Sequence, residues 1–206
     1  VLRLRAFLLI AVLAGLALVV PSGASAAKKG KAAQEEQAPT VQSDASAKAG
    51  GAEFGTVDPT SFPTVPGDVA VIDEDGIASA PENAPDAVKQ IIWAANGIVG
   101  LPYRYGGGHG DFEDTAYDCS GTVSFALAGA DLLRRPRDSR SFFTWGKAGR
   151  GKWVTVYTAS DHAYMTVAGI RLDTSAADDR GGLKGPRWRP LRKSNRGFKA
   201  RRPVGL

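Results

Sequence analysis

Cysteine is nearly absent: the 206 residues contain one, Cys119. A single thiol excludes an intrachain disulfide and any four-thiolate zinc or iron–sulfur site. Histidine is almost as scarce, with only His109 and His162, so neither a metal nor a cofactor is expected. The longest apolar run, residues 6–20, has 15 residues, short of the ~20 that span a bilayer as a helix. A formal net charge of +5 is too small to imply a nucleic-acid binder, and no nucleic-acid partner is expected. What is present suits one globular domain: 43% hydrophobic and 23% charged residues, with 25 Gly and 12 Pro marking a loop-rich chain.

The N-terminal run has the layout of an export signal. Arg3 and Arg5 precede it, and Pro21-Ser22-Gly23 then leads to the small-residue cleavage pattern Ala24-Ser25-Ala26. Residues 1–26 are therefore expected to be a signal peptide. No cysteine is near the cleavage site to carry a lipid, so the product is expected to be secreted or wall-associated, monomeric, and free of the membrane once cleaved. An unpaired thiol in an oxidising compartment is a liability unless it pairs between chains or is used chemically, the plain alternative being a buried small hydrophobe.

Residues 27–82 read as a flexible tether with at most one weak strand near Asp68–Ile77, because their Ala, Lys, Glu, Ser and Gly composition cannot bury a core. A folded domain is expected over residues 83–206. Asn83-Ala84-Pro85-Asp86 offers a helix start before Val88, Ile91, Ile92 and Ala95 at helical spacing, with Gly100 as a stop. A Gly-rich loop follows, and Cys119 opens a second helical pattern through Val123, Ala126, Leu127 and Ala130. Residues 153–158, 162–168, 170–174 and 198–202 read as strands. Helices before strands predict an α+β fold. Charge is divided: residues 32–118 carry 15 acids and 3 bases, residues 119–206 carry 6 and 18. The nine Lys and Arg between Lys184 and Arg202, with no acid among them, read as a solvated face, or else as a contact for an anionic wall polymer or a membrane surface.

A thiol is a good nucleophile as a thiolate, which a helix N-terminus or a neighbouring imidazolium favours. Cys119 has the first feature. His162, at the head of a predicted strand, is the better candidate for the second, since His109 sits among four glycines that would fix it poorly. Alternation puts His162, Tyr164 and Thr166 on one strand face. If Ala168-Gly169 is a two-residue hairpin loop, Val167 pairs with Ile170 and Asp173 falls beside His162; a loop one residue longer presents Thr174 instead. Asp173 is the preferred orienter, although Ala168 is a poor first residue for a primed turn.

Leu101-Pro102-Tyr103-Arg104-Tyr105-Gly106-Gly107 followed by Asp118-Cys119-Ser120-Gly121 resembles the signature of the NlpC-type cell-wall peptidases, papain-like cysteine hydrolases. The resemblance spans about residues 84–175. It implies a small antiparallel sheet packed on the nucleophile helix, with Cys119 as nucleophile, His162 as base and then acid, and Asp173 as orienter. It also implies Tyr103 near the oxyanion site, and Asp118 and Ser120 at positions that in some members bind the free amine of a stem peptide. The implied activity is hydrolysis of amide bonds in peptidoglycan stem peptides, the γ-D-glutamyl to diamino acid bond being the first expectation. Amidase or acyl-transfer chemistry on the same residues, and a catalytically silent wall binder, are the alternatives. Two departures bear on the groove: the connection from Gly107 to Asp118 is long, and Tyr164 places a large ring on the histidine face, where it would narrow the cleft.

Overall fold

The computed structural model describes residues 62–179 and 182–206. The expected signal peptide and residues 27–61 of the expected tether lie outside the described residues.

Order begins earlier than the composition suggests. Three short strands, β1 (Thr64–Val65), β2 (Val71–Ile72) and β3 (Ala78–Pro81), form a small sheet in the order β1-β3-β2. The expectation of a tether through residue 82 with one weak strand is thus corrected for residues 62–82. Its physical cause is a helix-end side chain. The first helix, α1 (Asp86–Asn96), ends on Asn96, whose Oδ1 accepts from Ala78 N–H at 3.0 Å and whose Nδ2 donates to Ala78 O at 2.9 Å. Asn96 Oδ1 also accepts from Trp188 Nε1 at 2.8 Å. One amide thereby ties the small sheet, α1 and a distant strand together, and Ala78 and Ala80 are fully buried.

The second helix, α2 (Cys119–Ala128), packs its Val123, Ala126 and Leu127 into the core with Val88, Ile91 and Ile92 of α1. A six-stranded sheet covers them. It comprises β4 (Lys147–Ala148), β5 (Val154–Thr158), β6 (Ala163–Val167), β7 (Ile170–Leu172), β8 (Trp188–Arg189) and β9 (Lys199–Arg202), in the order β4-β9-β5-β6-β7-β8. Every pair within it is antiparallel. Val154, Val156, Ala163, Met165 and Val167 point to the helices and share their core, while Thr155, Tyr157, Tyr164 and Thr166 alternate onto the other face. The fold is α+β, with an antiparallel sheet against the helix that begins at Cys119.

Candidate active site

The register between β6 and β7 places Val167 opposite Ile170 and Met165 opposite Leu172. The loop is the two-residue one. Ala168 and Gly169 both have positive φ, 44° and 88°, as a type I′ turn requires. Ala168 is held in this unfavourable conformation from two sides: its N–H donates to Trp153 O at 2.8 Å, and its carbonyl accepts from Ala70 N–H at 2.8 Å. A segment expected to be tether therefore helps to set the turn that fixes the register.

With that register, Asp173 Oδ1 lies 2.9 Å from His162 Nε2. The carboxylate is 0% exposed and the imidazole 20%. Thr174 is buried next to it. Asp173 is itself held on every side: Ser175 N–H donates to Oδ1 at 2.8 Å, Arg171 Nη1 donates to Oδ2 at 3.1 Å, and Arg192 Nη1 is 3.8 Å from Oδ2. Arg171 is fully buried and also donates to Ala177 O at 2.6 Å. Arg189, 1% exposed, donates to the backbone carbonyl of Asp173 at 2.9 Å. Sequence reasoning missed this arginine layer: Arg189 read as part of the solvated face from Lys184 to Arg202, while Arg171, two residues before Asp173 and so on the same strand face, is the signal that could have found it.

Across the cleft, Cys119 is the first residue of α2 and Asp118 its N-cap. Asp118 Oδ1 accepts from Gly121 N–H at 2.7 Å, and the Asp118 carbonyl accepts from Thr122 N–H at 3.0 Å. The first-turn N–H groups of Cys119 and Ser120 have no partner among the described residues and stand beside the thiol. The Gly-rich loop reaches this helix end at van der Waals range. A Cβ on Gly121 would lie 2.1 Å from Gly107 O, and one on Gly107 would lie 2.2 Å from Ala116 O, so both motif glycines are required by close backbone approach.

The cleft in front of Cys119 holds about 470 Å³ and is lined by Tyr103, His109, Asp118, Cys119, Ser120 and Ser139 together with Asp138, Arg140 and Asp161. Ser139 was not anticipated: its Oγ is 3.6 Å from Cys119 Sγ, and it lies 20 residues beyond the thiol in the stretch between α2 and β4. Burial raises the pKa of Cys119, but hydrogen bonds from His162 and Ser139 outweigh it, and the thiol falls below its ordinary 9.0. Burial depresses His162, yet the hydrogen bonds of Asp173 and Cys119 outweigh that and push it from 6.5 up to about 9. The two shifts favour a thiolate facing an imidazolium. With Nε2 on Asp173, Nδ1 is the ring nitrogen left to the thiol. Burial, and then the charges of Cys119 and Asp118, raise Tyr103 above its ordinary 10.0, which keeps its hydroxyl a donor.

His109 is better fixed than its glycine neighbours suggest. Its Nε2 lies 3.0 Å from Asp118 Oδ1 and 3.2 Å from Ser120 Oγ. Asp118 also accepts from Ser120 Oγ at 3.1 Å and, through Oδ2, from Gly106 N–H at 3.0 Å. Protein donors thus occupy about as many sites as a carboxylate offers, and an incoming ammonium would have to displace His109 to reach Asp118. Tyr164 does not narrow the cleft: it is fully buried, stacked on Tyr157 with centroids 5.1 Å apart, and stands 6.1 Å from the His162 ring.

No family model and no curated protein matches the chain. Among solved structures it is similar to the peptidoglycan hydrolase RipB from Mycobacterium tuberculosis, at 22% identity over 59% of this chain and 66% of that one, TM-score 0.45. An NlpC/P60 family protein from Bacillus cereus matches at 18% identity over 57% of this chain and 40% of that one, TM-score 0.42. RipD from Mycobacterium tuberculosis, a non-catalytic NlpC/p60 domain protein adapted to peptidoglycan binding, matches at 18% over 58% and 98%, TM-score 0.42. The first of these is spanned for just under two thirds of its own length. No helix among the described residues is long and apolar enough to cross a membrane.

Proposed function

We propose that this protein is an exported cysteine hydrolase that cleaves an amide bond in peptidoglycan stem peptides, the bond between γ-D-glutamyl and the diamino acid being the first candidate. One observation carries the reading: a thiol at a helix N-terminus is hydrogen-bonded to an imidazole whose other nitrogen is fixed by a buried carboxylate. The substrate class rests on the resemblance of the motifs around Tyr103 and Cys119 to the NlpC-type peptidases.

In this reading the Cys119 thiolate attacks the carbonyl carbon, and the carbonyl π pair moves to oxygen. The N–H groups of Cys119 and Ser120, with the Tyr103 hydroxyl, receive the oxyanion. His162, as imidazolium, protonates the leaving amine as the C–N bond breaks, giving a thioester and a neutral imidazole. The imidazole then takes a proton from water, whose oxygen attacks the thioester. Collapse releases the carboxylic acid and restores the thiolate–imidazolium pair. Asp173 orients the ring and stabilises its cationic form throughout.

A wall-binding protein without activity would not need a thiol, an imidazole and a buried carboxylate joined by hydrogen bonds, and this arrangement weighs against the silent reading. The test is mass spectrometry of fragments released from purified sacculi by the full chain and by Cys119→Ala. New fragments that vanish with the substitution, while the unfolding temperature stays within a few degrees, support the hydrolase and identify the bond. Equal fragment patterns from both proteins, or none from either when both are folded, sink it.

A further inference from the structure

The second groove of the molecule lies on the face of the main sheet that turns away from the helices, over Thr155 and Tyr157 of β5 and Thr166 of β6. It holds about 370 Å³, and its four charged residues, Arg150, Lys152, Arg192 and Lys193, are all cations. The catalytic cleft has the opposite make-up, with Asp118, Asp138 and Asp161 against Arg140. The side chains of Arg150, Lys152 and Lys193 make no ion pair among the described residues, and the Lys193 backbone N–H donates to Asp178 Oδ2 at 3.2 Å. Arg192 has its guanidinium carbon 5.0 Å from the Tyr164 ring centre and 5.1 Å from that of Phe198, with Asp173 at 3.8 Å on its inner side.

Cations on a convex face splay into water. Around a concavity they converge and repel one another, and an anion between them relieves that repulsion. The groove also supplies uncommitted donors. Thr155 Oγ1 accepts from Gly151 N–H at 3.1 Å, which leaves its O–H free to donate, and Asn195 Oδ1 accepts from the Tyr164 hydroxyl, which leaves its amide N–H₂ free. Trp153 adds an aromatic ring to the rim, with Lys152 Nζ 4.9 Å from its centre.

The geometry points to a binding site for a linear polymer of phosphodiester-linked polyols. Each diester carries one charge and matches one cation, the donors suit the hydroxylated linkers, and a concave site does not fit a flat lipid surface. This goes beyond the hydrolase reading and does not depend on it.

The test is a fluorescence titration of the full chain with synthetic poly(glycerol phosphate), with dextran, a single-stranded oligonucleotide of equal phosphate number and phosphatidylglycerol vesicles in parallel. Binding of poly(glycerol phosphate), not dextran, is expected. By counterion release at about four phosphates its affinity falls roughly 50-fold between 50 and 200 mM salt. Lys152→Glu with Lys193→Glu, both exposed, weakens it at least ~10-fold, since two of the four charges reverse, and leaves hydrolysis of a soluble stem peptide and the unfolding temperature unchanged. Arg192 is spared because it faces Asp173. No binding at 50 mM salt, equal binding by the double variant, tighter binding of the oligonucleotide, or binding of vesicles alone each overturns the proposal.

Discussion

The two walls of the cleft are held by different physics. The nucleophile wall is assembled from residues close in sequence, with Gly107 against Gly121 and Asp118 under the first turn of α2, and its one arginine ion pair among the described residues, Arg104 with Asp114, lies out in the loop. The histidine wall is assembled from β6, β7 and β8, and it is held by buried charge, with Asp173 between His162, Arg171 and Arg192. A wall built on close approach fails when volume is added. A wall built on buried ions fails when one charge is removed and its partners are stranded.

The sharpest break is therefore Asp173→Ala. It frees His162 to rotate and leaves Arg171 buried without its carboxylate. Hydrolysis is expected to fall about 10³- to 10⁴-fold and stability by about 3–5 kcal/mol, read by steady-state kinetics and urea unfolding. Stability falling without activity would remove Asp173 from the catalytic role. On the opposite wall Gly121→Ala forces a Cβ to within 2.1 Å of Gly107 O, where backbone and not a side chain must yield. A loss of about 1–3 kcal/mol is expected, with activity falling because Cys119 moves with the helix end. An unfolding midpoint equal to that of the parent chain would show that the loop adjusts freely.

The charge-built wall also sets the pH response. Asp173 and Cys119 push His162 from its ordinary 6.5 up to about 9, so in the proposed hydrolysis the acid for the leaving amine is expected to be present at neutrality and lost as the pH rises through about 9. Because this pKa is raised, the stability it contributes is complete below 6.5 and fades over the same rise to about 9. The thiol is shifted the other way, below 9.0, so the acid limb of the rate profile belongs to its deprotonation. Arg171→Met tests the design with a smaller effect. Without that cation the Asp173 charge acts on His162 undiluted, and the alkaline limb is expected to move up by about one unit, whereas Arg171→Lys keeps it in place. A limb unmoved in Arg171→Met, measured on protein shown to be folded, removes Arg171 as a positioning residue.

What could be read from the chain divides along the same line. The helix beginning at Cys119, the β5 to β7 strands and the pairing of Val167 with Ile170 follow from periodicity and turn length, which are local. The short strand Trp188–Arg189 was illegible because it sits between Pro186 and Pro190, a turn-like setting. Its order comes from Asn96, 92 positions away. The strands of residues 64–81 were lost in the same way: their composition is that of a tether, and their order comes from an amide on α1 and from the Ala168 turn. Ser139 and Arg189 touch the site only through tertiary structure, so no spacing announces them, whereas Arg171 stands two residues from Asp173 on one strand face.

His109 offers the mildest test, because it joins the nucleophile wall from the Gly-rich loop through its side chain alone. Its ring nitrogen takes an acceptor site on Asp118 that Ser120 and Gly121 do not fill. Removing it in His109→Ala opens that site to the cleft while the N-cap bond to Gly121 persists, so the fold should hold. A stem peptide with a free amine then gains a charge-assisted partner. Its KM is expected to fall about 3- to 10-fold, less than a fully buried bond to a charged group would give, while the same peptide acetylated at that amine is unaffected. If both peptides respond alike, the ring acts on the cleft by shape and not by occupying the carboxylate, and the nucleophile wall is then steric throughout.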